Sequence, residues 1–414
     1  MEPDGYKRFE SYYGVINLVR TRRFQAIMDR LGANRISKPA GWLLLYAMPV
    51  AAGLGFFLFL SELGILLSPK GAEVATYIRS LSPLANLGLP GINPYLPIVD
   101  GWIALVFAMI IHEGAHGIVA RSLGLPVKSS GLMFFLFVPI GAFVDVDETA
   151  IKTSRPSYSG RVLAAGAGIN LLAGILCLLL LFGFVSTMKP AVDGVGVTGT
   201  YSGYPAAQAG IRPGDFIVAV NGIHYDDSSA IESASWYTPG NNITISVWRN
   251  GVVSNYSVTL AYREFNNTQT GQITRQAFLG VSDMGYSSLQ GLVASYTGSF
   301  TTRPALYLCI PTLPACQNQV PFSDDLSLFY TSSLGAWLVP AASLLYWMFF
   351  LNFNLAIFNA LPIYPLDGGQ AFMVGLKALG RGKWSERSLM RATSIATLAV
   401  LALILGVLAS PWVF

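Results

Sequence analysis

Long apolar runs divide the chain into membrane-spanning and polar parts. Three stretches are almost uncharged and long enough to cross a bilayer as a helix, which takes about 18 residues or more: Gly41–Ser61, Val162–Met188 and Thr393–Phe414. Two others, Ile98–Val119 and Trp337–Asp367, are equally apolar except where they carry His, Glu or Asp. The pattern predicts a multi-pass α-helical membrane protein with about five spans.

Two shorter segments have patterns of their own. The apolar stretch Leu132–Val146 is too short for a helical crossing and contains Pro139 and Gly141. We interpret it as a re-entrant β-loop, which membranes tolerate only where protein or water satisfies the backbone.

Residues 1–40 mix aromatic and basic side chains, which is typical of an amphipathic helix on an anionic membrane surface. A solvated leader is the alternative for this segment.

A polar insertion follows the third predicted span. Its segments ITISVWRN and SNYSVTL alternate apolar and polar residues and are bounded by Gly and Asn turns, which predicts a small β-rich domain. The string PAAQAGIRPGDFIVAVNG, from Pro205 to Gly222, resembles the core of a PDZ domain. We therefore predict a basic N-terminal segment, a first membrane half, a PDZ-like domain, a connecting segment and a second membrane half, at residues 1–40, 41–190, 191–285, 286–336 and 337–414.

Composition and charge add an orientation to this scheme. Hydrophobic residues make up 53% of the chain and charged residues only 12%, an apolar content above that of ordinary soluble domains. Of the 26 Lys and Arg residues, 18 lie in segments 1–40, 121–161 and 377–391. Because short cytosolic segments are enriched in basic residues, we predict a cell-membrane protein with a cytosolic N-terminus and an extracytosolic PDZ-like domain. The net charge of +4 thus reflects topology, and no feature indicates a nucleic-acid partner.

Residues of the extracytosolic part fit an oxidising compartment. Cys309 and Cys316 lie close together in the chain, and such a compartment permits a disulfide between them. Two free thiols are the alternative. Asn242, Asn255 and Asn266 each begin a glycosylation sequon, so this topology also permits glycosylation.

The second predicted span contains His112-Glu113-x-x-His116. Residues four apart share one face of a helix, so both imidazoles can point at one metal ion while Glu113 reaches an attacking water as general base. Ionisable groups amid apolar side chains are unfavourable unless something compensates them, which favours a functional site. A purely structural polar cluster between helices is the alternative.

A third metal ligand is needed, because catalytic zinc commonly has three protein ligands and a water. The chain has three histidines, and the third, His224, lies in the predicted soluble domain. A carboxylate is therefore expected, and Asp367 in the string NALPIYPLDGG is the best candidate. Pro362 and Pro365 interrupt the helix there and Gly368-Gly369 frees the backbone, so Asp367 can turn inward. An ordinary span terminus whose Asp meets cytosolic water is the alternative.

HExxH in one span, NxxPxxxxDG in a later one and a PDZ-like insertion between them resemble the site-2 protease family of intramembrane metalloproteases, in its archaeal and bacterial branch. The resemblance covers most of the chain from Ile98 to about Gly369. It implies that His112, His116 and Asp367 bind one zinc ion and that Glu113 activates water. Substrates would be transmembrane segments of other proteins.

The resemblance assigns further positions as well. Asn359 would hold substrate backbone, and the stretch Gly131–Val144 looks like the family's re-entrant β-loop, which can pair with an unwound substrate strand. The family usually has Gly-Pro-x-x-Asn in the third span, whereas this chain has GAGIN at residues 166–170. Asn170 keeps its place and would stabilise the oxyanion. A glycine run that merely lets helices pack closely is the alternative.

Two other functions share part of this pattern with the protease. One is a membrane scaffold whose PDZ-like domain binds partners, with a structural or vestigial metal site; the presence of Glu113 argues against it, because a structural site needs no base. The other is a membrane-embedded zincin acting on soluble or lipidated peptides, which would not predict the NxxPxxxxDG string or the insertion. The sequence does not indicate an oligomeric state.

Overall fold

The architecture is known from a computed structural model that describes residues 8–12, 15–21, 24–86, 88–136, 138–266, 273–298, 302–381 and 383–413. The chain divides into two compact units, one of residues 1–178 with 344–414 and one of residues 179–343. Within the described residues, five helices are long and apolar enough to cross a membrane, namely Ser37–Leu66, Ile98–Ser122, Pro156–Val185, Gly335–Ala360 and Glu386–Val413. They agree with the predicted multi-pass membrane protein.

The elements follow one another in this order. The chain begins with β1 (Phe9–Tyr12), β2 (Ile16–Thr21), α1 (Gln25–Gly32), α2 (Ser37–Leu66), α3 (Gly71–Ser80), a 3-10 turn (Pro83–Asn86), α4 (Ile98–Ser122), β3 (Val127–Phe135), β4 (Val138–Val146), α5 (Glu148–Thr153) and α6 (Pro156–Val185). The insertion contains β5 (Lys189–Pro190), β6 (Val195–Thr200), α7 (Pro205–Gln208), β7 (Phe216–Val220), β8 (Ile223–His224), α8 (Ser228–Glu232), β9 (Asn242–Arg249), β10 (Val252–Thr259), β11 (Ala261–Asn266), β12 (Ile273–Phe278) and β13 (Val281–Met284).

The remaining elements form the connecting segment and the second membrane half. They are α9 (Tyr286–Gly298), a 3-10 turn (Pro304–Leu308), α10 (Pro314–Gln317), a 3-10 turn (Ser327–Phe329), β14 (Tyr330–Thr331), a 3-10 turn (Gly335–Trp337), α11 (Leu338–Ala360), α12 (Asp367–Leu379) and α13 (Glu386–Val413).

The N-terminal segment agrees with the prediction only in part, because α1 is a helix within it but the described residues before α1 are not helical. Its described residues before α1 form strands rather than an amphipathic helix, and β2 pairs antiparallel with β3 so that Ile16 lies opposite Phe135. The result is a four-stranded sheet of order β1-β2-β3-β4. The N–H and C=O groups of β2 are thus paired with a strand more than a hundred residues away, a partner that the local composition does not indicate. Residues 1–7, 13–14 and 22–23 of the predicted helix lie outside the described part.

The segment predicted as a re-entrant β-loop forms the β3–β4 hairpin. Leu132 lies opposite Ala142, and Ser130 lies opposite Val144. The outer edge of β4 is an edge of the sheet, since the strand order ends there. Its depth in a membrane stays a prediction.

Small residues bring the helices of the first unit together. One core cluster joins α2, α6 and α11 through alanines that include Ala51, Ala164 and Ala356, each fully buried. A Cβ added to Gly168 of α6 would lie 2.6 Å from the Leu44 carbonyl oxygen of α2. Close backbone approach through small side chains is the usual means of packing helices in a membrane, where no hydrophobic force drives association.

The fourth span ends earlier than predicted. Helix α11 stops at Ala360, and Asp367 begins the separate helix α12 instead of ending the span. Pro362 and Pro365 explain the break, because neither can donate a backbone hydrogen bond within a helix. The loop between α11 and α12 therefore places Asp367 at the first residue of α12.

The second unit is built on a β-sheet. Its longest sheet has the order β10-β9-β7-β6-β13, with β8 paired to β7. Apolar side chains of alternate strand positions, among them Val197, Ile217 and Ile245, form its core. The predicted β-rich domain is therefore present, while its PDZ character stays a prediction. Cys309 and Cys316, for which two states were open, are joined by a disulfide.

Candidate active site

Two histidines face one another across one turn of α4. The ring centroids of His112 and His116 are 5.0 Å apart, and the two residues are only 7% and 9% exposed. The Nδ1 atom of His116 lies 2.7 Å from the Val162 carbonyl oxygen. Because a carbonyl can only accept, Nδ1 carries a proton, which leaves Nε2 as the nitrogen that could bind a metal. The contact from Val162 thus orients His116 with Nε2 towards Asp367.

Asp367 completes this cluster from a distant part of the chain. Its Oδ2 atom lies 3.2 Å from Nε2 of His112 and 3.1 Å from Nε2 of His116. Its position in the first turn of α12 also suits a carboxylate, because helix N-termini stabilise negative charge. The predicted proximity of His112, His116 and Asp367 is therefore present in the structure.

The two glycines after Asp367 explain how α12 can begin so close to α11. A Cβ at Gly368 would overlap the backbone of Ala360 and Leu361, and one at Gly369 would overlap that of Ile363 and Tyr364. Only glycine leaves room for this approach. The two glycines thus let the first turn of α12 pack directly against the backbone of residues 360–364, and this packing positions the Asp367 carboxylate.

The cluster has the dimensions of a zinc site. Within the described residues, His112, His116 and Asp367 form the one group of three or more metal-binding side chains, with ligand atoms all within 4.8 Å of one another. Tetrahedral zinc with ligands at about 2.1 Å holds its ligand atoms ~3.4 Å apart, close to the separations between Oδ2 and the two nitrogens. Two imidazoles and one carboxylate are also a donor set that zinc prefers. His224 is not part of this group; it lies in β8, where its Nδ1 is within hydrogen-bonding distance of the Val218 carbonyl oxygen.

Glu113 stands beside the cluster on the next face of α4. It interacts electrostatically with His116, His112 and Asp367. Its Oε2 atom accepts a hydrogen bond of 2.9 Å from the backbone N–H of Val144 in β4. The predicted base is therefore next to the predicted ligands, and a strand of the hairpin contacts it. The sequence did not reveal this contact or the one from Val162, since both come from backbone atoms.

The two predicted asparagines differ in their surroundings. Asn170 of α6 is 0% exposed, and neither its amide nitrogen nor its amide oxygen has a hydrogen-bond partner within the described residues. It lies one helical turn after Gly166, whose Cα faces the two histidines. Asn359 instead donates its amide to the Leu355 carbonyl oxygen of its own helix at 3.1 Å. Asn170 thus has unused hydrogen-bonding capacity near the cluster.

Gly166 provides the space that the histidines occupy. A Cβ at this position would overlap Nε2 of both His112 and His116. We expect Gly166→Ala to displace the ligand atoms and lower zinc content and proteolysis at least ~10-fold, since a misplaced ligand affects affinity as strongly as loss of its supporting contacts. Gly183→Ala on the same helix, where a Cβ would meet nothing within 4 Å, is the matched control. Zinc analysis of both purified variants checks this, and equal zinc in the two would contradict it.

The sequence profile of peptidase family M50 matches residues 101–405. The chain belongs to this family. M50 is the site-2 protease family, so the resemblance seen in the motifs is confirmed. The matched residues include the histidine pair, Glu113 and Asp367.

Two of three relatives of this M50 protein are named as zinc metalloproteases. Zinc metalloprotease Rip1 of Mycobacterium tuberculosis is 25% identical over 377 residues, covering 73% of this chain and 93% of that protein. Zinc metalloprotease RasP of Shouchella clausii is 28% identical over 181 residues, covering 43% of this chain and 42% of that protein. The uncharacterized protein MJ0971 of Methanocaldococcus jannaschii is 24% identical over 360 residues, covering 87% of this chain and 77% of that protein. Family and relatives together support a membrane metalloprotease that uses zinc.

Proposed function

We propose that this M50 protein hydrolyses peptide bonds inside the transmembrane segments of other proteins. The observation that carries the proposal is the group of His112, His116 and Asp367, in which both histidines and the adjacent Glu113 lie on a helix apolar enough to span a membrane. Ionisable residues in such surroundings are costly and are usually retained for function. Regulated intramembrane proteolysis is the function that uses all four.

Each residue takes a distinct role in this mechanism. His112, His116 and Asp367 would hold one zinc ion, which would supply Lewis acidity to the scissile carbonyl and make an attacking water more acidic. Glu113 would accept the proton of that water and then donate it to the leaving amine. The unpartnered amide of Asn170 would donate to the developing oxyanion.

The substrate must be presented as an extended strand. Backbone carbonyls in a transmembrane helix are hydrogen-bonded within it, so a helical substrate would unwind before hydrolysis. The outer edge of β4 borders the helix that carries the histidines, because Val144 contacts Glu113. A substrate strand that paired with this edge would form hydrogen bonds with the exposed backbone of β4. Asn359 would hold another part of the substrate backbone.

The proposed orientation of the protein in the membrane follows from the distribution of Lys and Arg residues. With residues 1–40 and 377–391 in the cytosol, α4 runs inward and its HExxH motif lies in its cytosolic half. Cleavage would then occur nearer the cytosol, and the PDZ-like domain on the other side would select substrates. Labelling of single cysteines placed near Asn242 and Lys383 in intact cells tests which side each occupies.

Metal removal tests the proposed chemistry. We expect a chelator to abolish cleavage of a single-span substrate by the purified protein in lipid vesicles, and added Zn²⁺ to restore it. Mg²⁺ should not, because it prefers sites made of oxygen ligands. Product is measured on gels alongside the zinc content. Undiminished cleavage by protein shown to be metal-free would contradict the proposal.

A further inference from the structure

Helix α4 presents two adjacent faces to different partners. His112 and His116 lie on the face towards Asp367. Glu113 and Gly117 are each one residue further along, about 100° around the helix, and face β4. There the Val144 N–H donates to Glu113 at 2.9 Å. A Cβ at Gly117 would overlap Sδ of Met28 and lie 3.2 Å from Cγ1 of Val144. The glycine thus leaves room for Met28 and for the Val144 side chain beside α4.

The N–H of Val144 is not used within the sheet. Val144 lies opposite Ser130, and β4 pairs with β3 on one side only. Because the Val144 N–H donates to Glu113, it points away from β3, and this pair is a non-hydrogen-bonded one. Two residues earlier, Ala142 lies opposite Leu132, so its N–H also points outward. The edge of β4 therefore offers a row of donors, of which one reaches Glu113.

One oxygen of Glu113 is anchored while the other is free. Within the described residues, Oε2 accepts the Val144 N–H and Oε1 makes no hydrogen bond. A glutamate side chain has considerable rotational freedom, and a base must stay within reach of the proton that it accepts. A backbone donor on a paired strand holds it without adding a second titratable group.

We propose that Val144 is a positioning residue whose backbone N–H holds the Glu113 carboxylate towards the attacking water. This rests on the proposed role of Glu113 as the base, and it gives the β3–β4 hairpin a part in proton transfer as well as in strand pairing. Any residue except proline supplies this N–H, so the role belongs to the backbone position.

The same N–H would otherwise serve the substrate. A substrate strand adding to β4 would use outward N–H groups such as that of Ala142, and losing one should weaken binding. Loss of the Val144 N–H should instead impair the chemical step. A role in substrate binding therefore appears in KM, and a role in positioning Glu113 appears in kcat.

Replacing single backbone amides by esters tests this directly. α-Hydroxyisovaleric acid at position 144 removes the N–H and keeps the side chain, and lactic acid at position 142 is the matched control. We expect the ester at 144 to lower kcat about 10- to 100-fold, the effect of losing a hydrogen bond to a charged group, with zinc content unchanged. The ester at 142 should raise KM instead and leave kcat unchanged. Val144→Pro and Ala142→Pro give a second comparison, because a proline at an outward edge position removes no ladder bond.

Amide exchange gives a readout that does not depend on activity. In metal-free protein, Glu113→Ala should speed hydrogen exchange of the Val144 amide at least ~10-fold and leave that of Ala142 unchanged. Equal exchange at Val144 in both proteins would overturn the proposal. So would an ester at 144 that raises KM and keeps kcat, since the N–H would then serve the substrate. Full activity of Glu113→Gln would instead refute the proposed function itself.

Discussion

Asp367→Ala is expected to lose zinc and proteolysis together. The substitution removes the oxygen that lies 3.2 and 3.1 Å from the two histidine nitrogens and leaves two ligands where catalytic zinc normally has three. Loss of a residue that merely supports a ligand lowers affinity by about 10- to 100-fold, so loss of the ligand should lower it by at least ~100-fold. Metal analysis after dialysis against buffered zinc measures this directly.

Two further variants separate the ligand role from a structural one. Asp367→Glu keeps the charge but lengthens the side chain, so we expect activity to fall more than zinc content. Glu386→Ala removes an exposed acidic residue from the first turn of α13. This is the same type of position, but Glu386 belongs to no metal-binding group among the described residues, so the change should alter neither zinc content nor activity. Stoichiometric zinc and normal turnover in Asp367→Ala would show that this aspartate only begins a helix.

The sequence predicted those parts that depend on local periodicity. The five long apolar helices and the shared face of His112 and His116 follow from spacing within single elements. The β-rich insertion was also evident from its alternating pattern. Asp367 was reached by counting ligands and by the break-forming prolines, although the end of α11 at Ala360 showed that the aspartate starts a new helix.

The parts that were missed depend on distant partners or on backbone atoms. Residues 9–12 and 16–21 have a composition that fits an amphipathic helix, but they form strands because β3 offers an edge to β2 much later in the chain. The backbone N–H of Val144 donates to Glu113, and the backbone carbonyl oxygen of Val162 accepts from His116. No side-chain pattern encodes such contacts, so only the folded arrangement reveals them.

Glu113→Gln should keep the fold and the zinc but lose proteolysis. Glutamine has a similar shape and can still accept the Val144 hydrogen bond, but it cannot take a proton from the attacking water. General bases typically contribute about 10²- to 10⁴-fold to the rate, and we expect a loss in that range. Glu62→Gln, a change of the same type in the apolar helix α2, should leave the rate unchanged.

Mapping the cleaved bond tests the central claim most directly. The purified protein and a single-span substrate are placed in the same lipid vesicles with zinc, and the products are sequenced by mass spectrometry. The account predicts that the wild-type protein cuts a bond inside the apolar segment of the substrate and that Glu113→Gln, with equal zinc, yields no such product. The same product at the same rate from both proteins, or wild-type cleavage only outside the apolar segment, would contradict it.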